Sequence, residues 1–320
     1  MKAAIVTRYG SPDVVKVREV PTPTPAPGEV LIRVHATTVN RTDCGKLRPG
    51  LFRLIFGLRR PRRQIFGMDF AGEVEATGAG VLSFKPGDRV FGMCPSLGNG
   101  AHAEYVCVAE RGAIAAMPEK TRFDEAVVCE GAFYADAGLK RFGVGPGRKV
   151  LIYGASGAIG SAAVQLAKSY GAEVTAVVAT RHVDMAKSIG ADRVIDYTAE
   201  DFSKIGERFD YILDAVGKTS FFRCRRLLKP DGIFAATDIG PWGQNLPLAL
   251  WSFMSGKNRV VVPLQARGSA HAFVEFLKAR IQGGQFRAVI DRKYPLDAIA
   301  DAYRYVATGQ KVGIVVINVT

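Results

Sequence analysis

Leu151-Ile152-Tyr153 runs into Gly154-Ala155-Ser156-Gly157-Ala158-Ile159-Gly160, and Ser161 to Tyr170 continue in helix-forming residues such as Ala162, Val164, Leu166 and Ala167. Glycines in this pattern have a mechanism. One supplies the positive φ of a tight turn, one lets backbone approach a pyrophosphate closely, and one lets the helix pack against the strand. The first N–H groups of the helix then offer partial positive charge to phosphates. Strand, glycine turn, helix and second strand follow in order over roughly 30 residues, the context a dinucleotide fingerprint requires. Gly154, Ala155, Ser156, Gly157, Ala158, Ile159 and Gly160 are therefore the expected phosphate cradle.

Roughly twenty residues further on, enzymes that use NAD place an Asp or Glu against the ribose 2′-hydroxyl. Here the second strand ends in Ala179-Thr180-Arg181-His182. A guanidinium and a hydroxyl suit a 2′-phosphate, which a carboxylate would repel, so NADPH is the expected cofactor. Val216 and Gly217, where a later strand ends, complete the expected cofactor contacts read from the chain.

Outward from the turn, strands alternate with helices. Glu173 to Ala179, Arg193 to Asp196, Tyr211 to Val216 and Gly232 to Thr237 read as strands, and Val183 to Ile189 and Ser220 to Leu228 as helices. This alternation argues an α/β fold with a doubly wound parallel sheet. Upstream, Phe123 to Phe142 reads helical, while the first third is rich in short strands and turns. Val30 to Ala36 and Phe70 to Ala76 alternate as strands do, and Pro21 to Gly28 forbids regular structure. Such density of short strands suggests a barrel-like β-domain. The tail carries helices at Ala270 to Gly283 and around Leu296 to Thr308, then a strand, Gly313 to Val319.

The chain has 320 residues, 48% of them hydrophobic, with 43 Lys+Arg against 30 Asp+Glu. Its net charge of +13 is basic, yet the chain is too apolar for disorder. No apolar run approaches the ~18–20 residues that span a bilayer. Met1-Lys2 leads straight into a strand-like stretch without the pattern of a signal peptide, so a cytoplasmic location is expected. Cys44, Cys94, Cys107, Cys129 and Cys224 are scattered, which argues against a disulfide framework.

Gln165-Leu166-Ala167-Lys168 after the turn, Gly190-Ala191-Asp192 and Val194-Ile195-Asp196-Tyr197 resemble the medium-chain dehydrogenase/reductase superfamily, in its zinc-independent quinone oxidoreductase branch. Pro27-Gly28-Glu29-Val30, Val39-Asn40-Arg41-Thr42-Asp43, Gly67-Met68-Asp69-Phe70-Ala71-Gly72 and Lys85-Pro86-Gly87-Asp88-Arg89-Val90 resemble the same family's N-terminal domain. The resemblance implies a chaperonin-10-like catalytic domain split in sequence by a Rossmann domain, with the active site in the cleft between them. Together with the changes of period, it gives a catalytic domain over 1–122, a nucleotide domain over 123–260 and a return segment over 261–320. It also implies a homodimer, and it puts Tyr197 near the adenine end of the cofactor.

The resemblance further assigns Asn40 and Asp43 to the catalytic site, with the Asn40 amide orienting the nicotinamide or donating to a substrate carbonyl. Tyr134, in Phe133-Tyr134-Ala135, replaces the family's Thr and brings a phenol near the cofactor, as proton donor or as packing. The zinc alcohol dehydrogenases of the superfamily use a Gly-His-Glu histidine and a cysteine loop. Gly67-Met68-Asp69 has no histidine and no cysteine cluster follows Cys94, so no metal is expected. His102 matches a strand that is not usually catalytic and is expected at the surface. The basic stretch Lys46 to Arg63, around Leu51-Phe52 and Leu54-Ile55-Phe56, reads as a solvated flap over the substrate cleft, or else as a membrane or RNA surface. No nucleic acid is expected as partner. The leading expectation is an NADPH-dependent reductase of quinones or α,β-unsaturated carbonyls, with a small electrophile as substrate. Alcohol/aldehyde oxidoreduction and a non-enzymatic NADPH-binding protein are the alternatives.

Overall fold

The computed structural model describes residues 1–50, 53–95, 98, 100–238, 243–254, 260–261 and 269–319. Leu51 and Phe52 of the basic stretch lie outside the described residues. The chain divides into two compact units. One comprises Met1–Glu130, Gly268–Gln282 and Ala288–Thr320; the other comprises Gly131–Arg267 and Gly283–Arg287.

In chain order the first unit opens with β1 (Lys2–Val6), β2 (Val15–Glu19), β3 (Glu29–Val39), α1 (Arg41–Leu47), α2 (Arg53–Phe56) and β4 (Asp69–Thr77). It continues through β5 (Arg89–Met93), β6 (Tyr105–Ala109), β7 (Ile114–Ala116) and α3 (Phe123–Ala126). α4 (Cys129–Arg141) leads into the second unit, which holds β8 (Lys149–Tyr153), α5 (Ala158–Ser169), β9 (Glu173–Val178), α6 (Val183–Ser188) and β10 (Arg193–Asp196). There follow β11 (Phe209–Asp214), α7 (Phe221–Cys224), β12 (Leu228–Ala236), α8 (Asn245–Met254) and β13 (Val260–Val261). The return to the first unit brings α9 (Ala270–Gln282), β14 (Ile290–Pro295), α10 (Ile299–Ala307) and β15 (Ile314–Asn318).

The second unit is a parallel sheet in the order β10-β9-β8-β11-β12-β13. Strand order therefore reverses between β8 and β11, and ligands of such sheets bind beyond the carboxyl ends of the strands at that point. Val150, Leu151 and Ile152 are fully buried, which explains why β8 reads as a continuous apolar run rather than an alternating one. Each such side chain removed from water contributes about 1.5–3 kcal/mol. In the first unit β3 pairs with β4, β6 and β15, and the carboxyl-terminal strand thereby closes onto the amino-terminal sheet.

Three expectations change. The unit boundaries fall at 130/131 and 267/268, not 122/123 and 260/261, because α3 belongs to the first unit: Phe123 stacks on His35 at 4.3 Å and Lys293 bonds Asp124. The segment Gly283–Arg287 joins the second unit because the Gln165 amide brackets the Arg287 backbone, donating to its carbonyl at 3.1 Å and accepting its N–H at 2.9 Å. The helix expected over Phe123 to Phe142 is two helices. Val127 leaves helical geometry at φ −82°, ψ 63°, and β-branched Val127-Val128 is a weak point for helix continuation.

Candidate functional site

The glycine turn has the geometry its residues require. Gly154 sits at φ +76°, and a Cβ there would lie 2.6 Å from a Val216 methyl. A Cβ on Gly160 would meet the Gly154 carbonyl at 2.2 Å, so this glycine lets α5 pack against the turn. At Gly157 a Cβ would find nothing closer than 3.7 Å. The protein itself leaves that position open, and a bare backbone beside the unpaired first N–H groups of α5 is a surface that fits a pyrophosphate. Ala155 is buried beneath the turn, and Ser156, Ala158 and Ile159 are half-buried around it.

Val216 and Gly217 belong to a turn organised by one carboxylate. Asp214, at the end of β11, accepts the N–H groups of Val216 at 3.1 Å, Gly217 at 2.8 Å and Thr219 at 2.9 Å. Gly217 is at φ +67°, with Asp238 only 1.6 Å from where a Cβ would be. At the end of β9, Thr180 and Arg181 are exposed in a short 3-10 turn, and Arg181 Nε donates to His182 Nε2 at 3.0 Å. A carboxylate beside this turn is Asp196 on β10, whose Oδ1 accepts both the N–H and the hydroxyl of Thr198. Those bonds, with one from Thr180, hold its carboxyl below the ordinary range. Tyr197 is 48% exposed, its ring 6.3 Å from that of Tyr153. Tyr134 is half-buried on α4 with its ring 6.0 Å from Phe133, three residues after Gly131, whose Cα faces the Ala158 carbonyl of α5.

Asn40 and Asp43 lie in the first unit, in a buried polar cluster. Asp43 is fully buried. Its Oδ2 accepts the Asn40 N–H at 2.9 Å and its Oδ1 the Gly67 N–H at 3.2 Å, so it ties the start of α1 to the loop before β4. The Asn40 amide nitrogen donates to Thr38 Oγ1 at 3.0 Å and to Glu130 Oε2 at 2.8 Å. Both amide protons are thereby used, which removes the expected donation to a substrate carbonyl and leaves the amide oxygen as the group Asn40 can offer. Thr38 Oγ1 in turn donates to Asp69 Oδ2 at 2.7 Å, and the Glu130 N–H donates to Asp69 Oδ1 at 2.7 Å.

Glu130 is a functional candidate that sequence reading missed. Only 2% exposed, it accepts from Asn40 and from the Thr42 hydroxyl. Burial, then the charges of Asp43 and Asp69, push its carboxyl up to about 8. Lys311, held among Glu130, Asp291, Arg41 and Cys44, is pushed down to about 8 by burial. No local pattern marks Glu130, since a glutamate in the first turn of a helix is ordinary. His102 corrects another expectation: it is 1% exposed, not at the surface. Its Nε2 donates to the Thr38 carbonyl at 2.8 Å, its Nδ1 accepts from Tyr303 at 3.2 Å, and burial keeps it neutral. Gly67 makes the space, because a Cβ there would lie 2.3 Å from the imidazole.

Beside this cluster is a cavity of about 230 Å³, lined among others by Lys46, Ile55, Phe56, Arg62, Phe66 and Gly67. A zinc ion does not fit the residues present. Met68 offers no imidazole beside Asp69, both Asp69 oxygens are engaged, and burial pushes the Cys44 thiol up to about 12. Among the described residues no three His, Cys, Asp or Glu side chains converge as metal ligands. Nor is any helix among them long and apolar enough to cross a membrane.

Comparison with known proteins agrees with this architecture. The Alcohol dehydrogenase GroES-like domain family matches residues 26–119, and the Zinc-binding dehydrogenase family matches residues 189–317. A chloroplast envelope quinone oxidoreductase homolog of Arabidopsis thaliana is 31% identical, over 94% of this chain and 92% of its own length. An NADPH-dependent alkenal/one oxidoreductase of the same plant is 30% identical, over 99% and 79%. The quinone oxidoreductase of Coxiella burnetii superposes with a TM-score of 0.88 at 27% identity, covering 100% of this chain and 99% of that one. The glycine turn on a doubly wound sheet, the GroES-like first unit and these relatives agree, and the chain belongs to the medium-chain dehydrogenase/reductase superfamily, in its quinone oxidoreductase-like branch.

Proposed function

We propose that this protein is an NADPH-dependent, zinc-independent oxidoreductase that reduces quinones or α,β-unsaturated carbonyls. The observation that carries the reading is the turn from Gly154 to Gly160, open at Gly157, followed at the end of β9 by Thr180 and Arg181 in place of a carboxylate. The turn and α5 would hold the pyrophosphate, Val216 and Gly217 the neighbouring part of the cofactor, and Tyr197 its adenine end. Bound NADPH supplies hydride to the electrophile. The Asn40 oxygen can accept from a carboxamide N–H and so orient the nicotinamide, and Asp43 keeps Asn40 in place through its backbone. Tyr134 narrows the site or offers its phenol. The apolar part of the cavity lining, Ile55, Phe56 and Phe66, suits the body of a small electrophile. The relatives named for quinones and for alkenals and alkenones support the same substrate classes.

NADPH oxidation with a panel of quinones, enones and aldehydes tests the proposal. Turnover of quinones or enones that survives a chelator is expected. Reduction of aldehydes alone would indicate the alcohol/aldehyde reaction. No NADPH loss with any electrophile, together with salt-sensitive binding of RNA or liposomes, would overturn the enzyme reading.

A further inference from the structure

We propose that Glu130 is the proton source for the reduction and that the Thr42 hydroxyl hands its proton to the substrate, a role that rests on the reductase reading above. Hydride addition to the β-carbon of an enone leaves an enolate, which needs one proton to become the saturated ketone. Asn40 has no amide proton left to give, and Asp43 has both oxygens on backbone N–H groups. Glu130 is too deeply buried to reach a substrate itself. Its Oε1 meets the Thr42 hydroxyl, and Thr42 is half-buried on the first turn of α1. Lys46, the neighbour of Thr42 one helical turn on, lines the cavity, and in the proposed relay a substrate held there meets the Thr42 hydroxyl. The proton balance is closed: with Glu130 protonated on Oε1 its hydrogen bond to Thr42 is reversed, Thr42 Oγ1 gives its proton to the enolate carbon and takes the one from the Glu130 carboxyl, and after product leaves the carboxylate regains a proton from water through the same hydroxyl. The summed reaction consumes one NADPH, one enone and one proton.

For Glu130 to hold a proton at neutral pH, its surroundings must disfavour its charge. Asp43 on α1 and Asp69 on β4 do so, as does burial, while Lys46 on α1 and Lys311 ahead of β15 oppose them; Tyr303 on α10 faces the same group. Burial and the two carboxylates prevail, since the carboxyl is raised to about 8. A buried acid with this value is suited to give up a proton near neutrality.

The test has two readouts. In the first, kcat with NADPH and ethyl vinyl ketone is followed against pH for the wild type, Glu130→Gln, Thr42→Val and Thr42→Ser, with circular dichroism confirming that each variant is folded. Wild-type kcat should fall on the alkaline side as Glu130 loses its proton. Glu130→Gln should lose roughly 10²-fold at neutral pH, with KM little changed, and should lack the alkaline limb. Thr42→Val should lose a similar amount, and Thr42→Ser, which keeps the hydroxyl, should recover most of it. In the second, infrared difference spectra of the protein without NADPH should show a protonated carboxyl at neutral pH that titrates in the alkaline range and is absent from Glu130→Gln. An active wild type matched by Glu130→Gln in rate and pH profile would overturn the relay alone, as would absence of that infrared band. A wild type that binds NADPH but reduces no electrophile would overturn the reductase reading, and the relay with it.

Discussion

The proposed role of Arg181 is to set cofactor choice through one charged contact. Losing such a contact to a 2′-phosphate costs about 1.5–3 kcal/mol, or about 10–150-fold in affinity. Arg181→Ala should weaken NADPH binding by that factor while changing NADH binding little, as measured by fluorescence titration of both cofactors; an unchanged ratio would remove Arg181 from the site. For Asn40→Ala, kcat/KM should fall at least about tenfold, on the order of 1.4 kcal/mol. NADPH affinity should stay within a few-fold, because the proposed role of the amide is orientation. Arg181 and Asn40 can be proposed from the chain because they sit in continuous motifs. The characters of Glu130 and His102 cannot be read that way. Their character comes from partners far away in sequence, Asn40 and Asp69 for one, Thr38 and Tyr303 for the other.

At the scale of elements, the strands and the glycine turn were the most legible parts, because alternation and positive-φ glycines are local signals. β10 has its expected bounds, and α5 begins three residues before Ser161 and ends one before Tyr170. β14 and α8 were missed. β14 reads Ile290-Asp291-Arg292-Lys293-Tyr294-Pro295, too polar to stand out, and its pairing with β15 comes from outside the segment. Gly67 shows how an element can be set by a distant side chain. Gly67→Ala forces an unfavourable backbone and a contact with His102 at once, and it should lower stability by about 1–3 kcal/mol in urea unfolding. Substitution at Gly157, where there is room, should leave stability nearly unchanged while weakening NADPH binding.

At the scale of the molecule, Leu250, Trp251, Phe253 and Met254 expose most of their apolar surface on α8, which packs by the edge strand β13 of the nucleotide sheet. The homodimer implied by the family resemblance predicts that the wild type elutes with dimer mass in light scattering. Buried Glu130 also couples stability to pH. Its pKa in the folded protein is raised, so the unfolded chain gives up the proton first and stability falls as pH rises from the ordinary carboxylate range toward about 8. Measured as a difference, Glu130→Gln should gain on the wild type over that interval by no more than about 1.4 kcal/mol per pH unit. A constant difference from pH 5 to 8 would contradict the raised value.

In the proposed reaction, hydride from NADPH reaches the carbon β to a carbonyl. Turnover of ethyl vinyl ketone with NADPH deuterated at the transferring position tests it most directly, with the product read by mass spectrometry and NMR. One deuterium is expected on the β-carbon of the saturated ketone, unaffected by chelator. Deuterium on the carbinol carbon of an alcohol, or a product without deuterium, would contradict it.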